Sequence, residues 1–270
     1  GVRPGSSCVD SVIREQGFQP DTIDAHSHPP CRKAAVMPVP VQFLPSPLPR
    51  EPLATAAEWL ALARSRADQP NPNAMVVASV GAGGLPSARV VLCKEIVAAP
   101  GYVCFYTNYD SRKGGEIEAH PRVAIVMHWD HLYRQVRIEG QVVRAPAAES
   151  DAYFRTRPWQ RRVGAWASAQ SQPVDSRADL ERAVVETAQR FGVPVPGPED
   201  AAAPAGTGDG IPRPPHWGGY HVYADAVELW IEGESRIHDR ARWTRSLTPS
   251  VDRHAPPTAL GPWSVTRLQP

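Results

Sequence analysis

The chain has 270 residues, 42% of them hydrophobic, with 29 basic and 28 acidic side chains and a formal net charge of +1. That near balance excludes a global electrostatic pull toward nucleic acid or an anionic membrane, so any anion site must be local. No apolar run approaches a membrane span, the opening GVRPGSSCVDSVIREQG lacks the layout of a secretory signal, and four cysteines without CxxC spacing read as reduced thiols of a cytoplasmic protein.

Residues 1–50 are rich in proline and short of periodic pattern, so they are read as a poorly ordered extension, with Met37 as a possible second start. The ordered domain is expected over 51–270. It opens with an amphipathic helix at about 53–67, REPLATAAEWLALARSRA. Strands are predicted at 74–80, 87–96, 102–108, 122–129 and 133–145, and the glycines of GAGGLP mark a hairpin turn between the first two. No helix pattern follows that turn, so it is not a phosphate loop. Helices follow at 147–156 and 176–191, then strands near 219–224, 226–232, 236–243 and 263–268. Two stretches, 193–215 and 248–262, have the composition of irregular inserts. Consecutive, hairpin-linked strands predict a mainly β, α+β fold: an antiparallel barrel with peripheral helices rather than an alternating βαβ sheet.

Several cations stand at places that need a reason. Arg89 and Lys94 bracket the strand RVVLCK, whose centre is apolar on both faces, as a buried strand would be. In YTNYDSRKGGEIEAHPRV, Asp110 or Ser111 caps a helix whose first turn carries Arg112 and Lys113. Cations there oppose the helix dipole unless an anion is present, and a phosphate would meet free N–H groups and two cations together. Further on, Tyr153, Arg157 and Arg161 recur at helical spacing, although Pro158 argues against one continuous helix. In SRIHDR, residues 235–240, a strand would place Arg236, His238 and Arg240 on one face. A solvated face and an anion pocket both account for that. Gln135 and Trp230 suit a ring edge and a ring wall, or simply neighbouring strands and core. The histidines show no ligand spacing with cysteine or carboxylate, so no metal is expected.

Taken in order, EPLATAAEWLALA, RVVLCK, FYTNYDSRK, HPRV, RQVRIEG, YFRTRP, GAWASAQS, HWGGYHV, VELWIEGESRIHDR and WSVTRLQP resemble the pyridoxamine 5′-phosphate oxidase family over about residues 50–270. The resemblance implies an FMN-binding split β-barrel, a homodimer with FMN in clefts at the subunit interface. It assigns FMN contacts to Arg89, Val90, Val91, Leu92, Tyr106, Thr107, Arg112, Lys113, Gln135, Gln170, Ser171, Trp230 and Arg240. It assigns the substrate to Lys94, Tyr153, Arg157, Arg161, Arg236 and His238, the last two acting as catalytic residues that orient the ring over the flavin. The implied reaction oxidises pyridoxamine or pyridoxine 5′-phosphate to pyridoxal 5′-phosphate, with O2 as acceptor, releasing H2O2 and, from the amine, NH3. One position departs from the family pattern: Arg161 stands where a serine is usual after RP. That departure keeps open a related oxidase of secondary metabolism acting on a phenazine-type ring, beside a non-catalytic flavin-binding barrel.

Overall fold

The computed structural model describes residues 43–197, 206–252 and 254–270. Met37 and most of the expected N-terminal extension lie outside them. The described end of that extension, 43–50, lies against the barrel. Leu44 is buried, its N–H donates to Asp239 at 2.7 Å, and the Trp243 indole donates to the Pro49 carbonyl at 2.8 Å.

Helix α1 (Pro52–Arg66) follows, its Glu51 cap accepting from the Leu53 N–H at 3.0 Å. Leu53, Ala56, Leu60 and Ala63 form its buried stripe at helical spacing. The strands β1 (Ala74–Val80) and β2 (Pro86–Leu92) form the expected hairpin across GAGGLP, antiparallel from Ala74–Leu92 to Val80–Pro86. The predicted strand 87–96 is two elements, because the chain breaks at Cys93–Lys94 before β3 (Glu95–Val97). Nor is β2 buried on both faces, since Val90 is 65% exposed. An exposed apolar strand and a buried one have the same composition, which is why the sequence misleads here.

Next come β4 (Tyr102–Asn108), α2 (Arg112–Ala119), β5 (Arg122–Trp129) and β6 (Arg134–Arg144), then α3 (Ala147–Thr156), α4 (Trp159–Ala167) and α5 (Arg177–Arg190). Pro158 separates α3 from α4, as its missing N–H requires. The two strands expected near 219–224 and 226–232 are one, β7 (Trp217–Ile231). After a short 3-10 turn at Glu234–Arg236 come β8 (Asp239–Thr244), the hairpin of β9 (Leu247–Thr248) with β10 (Ala259–Leu260), and β11 (Ser264–Leu268).

All pairings are antiparallel, in the order β11-β8-β7-β6-β5-β1-β2, and the sheet curls into the expected barrel. Its axis is β7. One edge pairs with β6 from Tyr220 to Ile231, while the other pairs with β4 over its first half and β8 over its second. Between the halves is a bulge: Gly140 opposes Ala224 and Glu139 opposes Ala226, leaving Asp225 without a counterpart. A Cβ on Gly140 would lie 2.2 Å from the Tyr223 carbonyl oxygen, so the close approach needs glycine. The core-facing residues accordingly change from Tyr220, Val222 and Ala224 to Val227, Leu229 and Ile231. A second, smaller core packs Phe154, Trp159, Val163 and Ala188 of the helices against Ile211 and Trp217.

Candidate active site

A cleft of about 620 Å³ lies between β2, β4, the start of α2 and the α3–α4 corner. Ser111 caps α2, as expected, accepting from the Gly114 N–H at 3.4 Å. The cap aims Arg112 and Lys113 of the first turn toward the cleft. The Lys113 ammonium is buried and donates to Thr107 Oγ1 at 2.8 Å, Ser111 Oγ at 3.0 Å and Gln170 Oε1. All three acceptors are neutral. Burial, then the charge of Arg89, pushes the Lys113 pKa down to about 8, against a smaller opposing pull from Glu116.

Glu116, one turn further along α2, fixes the other two cations. It accepts from Arg89 Nη2 and Arg112 Nε, both at 2.8 Å, and from the Ser79 and Ser87 hydroxyls. Burial alone would raise its pKa, but these hydrogen bonds bring it down to about 2. Arg89 also donates to Ser79 and Ser87 and to the Val77 carbonyl, so its guanidinium is held from several sides.

Across the cleft, Tyr106 and Tyr153 stack with centroids 4.0 Å apart, and Trp217 stacks on Tyr106 at 5.4 Å. Arg157 lies over the Trp217 ring at 4.6 Å and Lys94 over Tyr153 at 5.4 Å. Burial lowers the Arg157 pKa, and its buried Nη1 has no hydrogen-bond partner. Arg161 lines the same space. Among the described residues, the lining therefore carries Arg89, Lys94, Arg112, Lys113, Arg157 and Arg161 and no carboxylate. An unpaired buried donor among converging cations, beside stacked rings, fits a phosphate-bearing planar group such as FMN. Val90, Val91, Leu92, Thr107, Gln170 and Ser171 complete the lining.

The remaining sequence-predicted residues do not reach this cleft in their own chain. They form a second cluster at the far end of β7. Gln135 opposes Trp230 and Trp230 opposes Arg240 across the three central strands, with the Trp230 and His238 rings 4.7 Å apart. Arg240 pairs with buried Glu228 at 2.9 Å, and His238 Nδ1 accepts from the Gly233 N–H at 3.2 Å. The alternation expected of Arg236, His238 and Arg240 is not realised. Arg236 closes the 3-10 turn with Ser235, both at positive φ (65° and 53°), and the strand starts only at Asp239. The two clusters are separated by roughly 40 Å of strand, from Trp217 to Trp230 at ~3.3 Å per residue.

Sequence reasoning missed Glu116 and Trp217 as site residues. Glu116 had a signal, since it follows Arg112 by four on a helix. Trp217 gave none, because only the fold brings it beside Tyr106.

Comparison with known proteins gives the family and the fold. A family model described as pyridoxamine 5′-phosphate oxidase matches residues 63–191, and one described as pyridoxine 5′-phosphate oxidase C-terminal dimerisation region matches 217–270. A pyridoxine/pyridoxamine 5′-phosphate oxidase of Burkholderia orbicola is 43% identical over 220 residues, covering 82% of this chain and 89% of that protein. One from Paracoccus denitrificans is 43% identical over 228 residues, covering 82% and 95%. Among solved structures, PhzG from Burkholderia lata, in complex with tetrahydrophenazine-1-carboxylic acid, superposes with a TM-score of 0.65 at 26% identity, covering 82% of this chain and 94% of that one. A pyridoxamine 5′-phosphate oxidase-related, FMN-binding protein of Nostoc punctiforme gives 0.51 at 16% identity, covering 80% and 96%, a likeness of fold alone.

Proposed function

The chain belongs to the pyridoxamine 5′-phosphate oxidase family, and from that premise we propose that it is an FMN-dependent oxidase converting pyridoxamine or pyridoxine 5′-phosphate to pyridoxal 5′-phosphate. O2 is the acceptor and H2O2 the by-product, with NH3 released from the amine. The observation that carries this reading is a cleft whose lining, among the described residues, has six cations and no carboxylate. Two phosphates brought together need two cation sets. Arg89, Arg112 and Lys113 take the phosphate of FMN; Lys94, Arg157 and Arg161 take that of the substrate, with Tyr153 and Trp217 behind them. FMN, when bound, supplies the hydride acceptor. The protein's own part is positioning, charge neutralisation and exclusion of water by the stacked rings.

The second cluster enters through a partner. The matched dimerisation region, 217–270, contains Trp230, Arg236, His238 and Arg240. In a homodimer, one protomer's Trp230 and Arg240, with Gln135, close the other's cleft on the flavin side, while Arg236 and His238 orient the substrate ring. No helix among the described residues is long and apolar enough to cross a membrane, and Cys93 and Cys104 are free thiols, which supports a cytoplasmic setting.

The test is anaerobic. Purified yellow protein should bleach on adding pyridoxine 5′-phosphate and recolour in air; yellow protein that does not bleach with either vitamer sinks the reading. A second reading, oxidation of a carboxylated phenazine-type ring, is favoured by Arg161 at the position where the family pattern has serine and by the likeness to PhzG. Bleaching by a reduced phenazine carboxylate, and not by the vitamers, would select it. Arg161→Ser should leave FMN bound and change KM for the phosphorylated vitamer; an unchanged KM removes Arg161 from the substrate grip.

A further inference from the structure

Behind the Tyr106 wall, three side chains of metal-ligating type converge that the oxidase reading does not use. Cys104 on β4 stands directly opposite His221 on β7. Glu149, in the first turn of α3, reaches over the pair. The ligand atoms of all three lie within 4.8 Å of one another. Glu149 Oε1 is 2.9 Å from His221 Nε2 and 3.7 Å from Cys104 Sγ. In a tetrahedral zinc site, bonds of about 2.0–2.3 Å set neighbouring donor atoms about 3.3–3.7 Å apart. The first separation is short of that spacing and the second lies at its upper end, so small side-chain rotations suffice.

The donor set is selective. Magnesium and calcium take oxygen ligands, whereas a thiolate, an imidazole and a carboxylate together suit zinc. Cys104 and His221 are only 3% and 5% exposed, while the Glu149 side chain is 38% exposed and leaves a way in from solvent. Outer groups already orient the ligands. Tyr102 stacks on the His221 ring with centroids 4.1 Å apart, and the Tyr106 hydroxyl donates to Glu149 Oε1 at 3.1 Å.

We propose that Cys104, Glu149 and His221 form a binding site for a zinc-class divalent cation, with water as fourth ligand on the exposed Glu149 side. A thiol must lose its proton to ligate a metal ion. The ion therefore binds by displacing the thiol proton to solvent, forming the metal–thiolate bond as the S–H bond breaks. Nothing in the spacing along the chain announces the site, because β4, α3 and β7 each contribute one ligand. It stands independently of what the cleft oxidises.

The experiment is a titration of the full-length, flavin-loaded protein with Co2+, followed by competition with Zn2+. One equivalent of Co2+ per chain should release one proton in weak buffer and produce the visible bands of tetrahedral, thiolate-ligated cobalt, red of the flavin absorption, and Zn2+ should abolish those bands with no further proton released. Cys104→Ser and His221→Gln should each weaken Zn2+ binding at least about 100-fold, whereas a Cys8→Ser, Cys31→Ser chain should bind as the parent does. Absence of tetrahedral cobalt bands in the unsubstituted protein overturns the proposal without recourse to any variant, and leaves the trio a hydrogen-bonded His–Glu pair beside a thiol. Unchanged affinity in Cys104→Ser, or loss on removing Cys8 and Cys31, overturns it equally.

Discussion

Lys113 donates its hydrogen bonds to neutral oxygens, so no acceptor it touches carries a charge to balance its own. A folded-state pKa of about 8, below the ~10.4 of an unfolded chain, costs stability below pH 8, and the cost shrinks as pH rises from 8 to 10. A docked phosphate reverses this by favouring the ammonium. The thermal stabilisation given by FMN is therefore expected to fall as pH rises through 8, and to lose that dependence in Lys113→Met; melting curves with and without FMN between pH 7 and 10 decide it. Glu116 has the opposite sign. Its carboxylate, held at about 2, contributes stability that is complete above about pH 4.5 and is lost as pH falls toward 2. Glu116→Gln should cost about 1–3 kcal/mol near neutrality, because it leaves the half-buried Arg89 side chain short of an acceptor, and should flatten the acid limb of a urea-unfolding series. It should also weaken FMN, since Arg89 and Arg112 lose the group that aims them.

The paired glycines of α2 differ in what they permit. A Cβ on Gly114 would lie 1.8 Å from the Tyr109 carbonyl oxygen, while one on Gly115 meets nothing within 4 Å. Gly114→Ala should thus loosen the helix start by about 2 kcal/mol or more and reduce FMN affinity with it. Gly115→Ala should be neutral or stabilise by up to ~1 kcal/mol. Urea midpoints of the two variants provide the check. The same element shows what was legible beforehand. The Ser111 cap, with Arg112 and Lys113 in the first turn, was legible in the sequence, because capping and dipole rules act over a few residues. The break read at Asp225 was real but was not a chain reversal: a polar residue between two apolar runs signals a bulge as readily as a turn. The 3-10 turn at Glu234–Arg236 was illegible, since neither Ser235 nor Arg236 is a residue that advertises a left-handed backbone. The exposure of Val90 was hidden for another reason, for it depends on what covers β2 and not on β2.

At the scale of the molecule, the two clusters at opposite ends of β7 cannot meet within one chain, so activity is expected to require pairing. Arg112→Ala/Lys113→Ala disables one cluster and Arg240→Ala the other. Co-refolding equal amounts of the two inactive variants should restore about one quarter of the wild-type clefts, since half the dimers are mixed and each has one intact cleft. Rates from the mixture no higher than from either variant alone would place both clusters in separate roles. The unpaired residue at Asp225 bears on this arrangement. Trp217 and Trp230 are thirteen positions apart on β7, an odd interval that in a regular strand would turn them to opposite faces. The extra residue between them resets the alternation, so both indoles face away from the barrel interior. Asp225 thus sets the phase between two clusters it does not touch. Shortening or lengthening β7 by one residue anywhere between the tryptophans would drive one of them inward, however conservative the change at the spot where it is made.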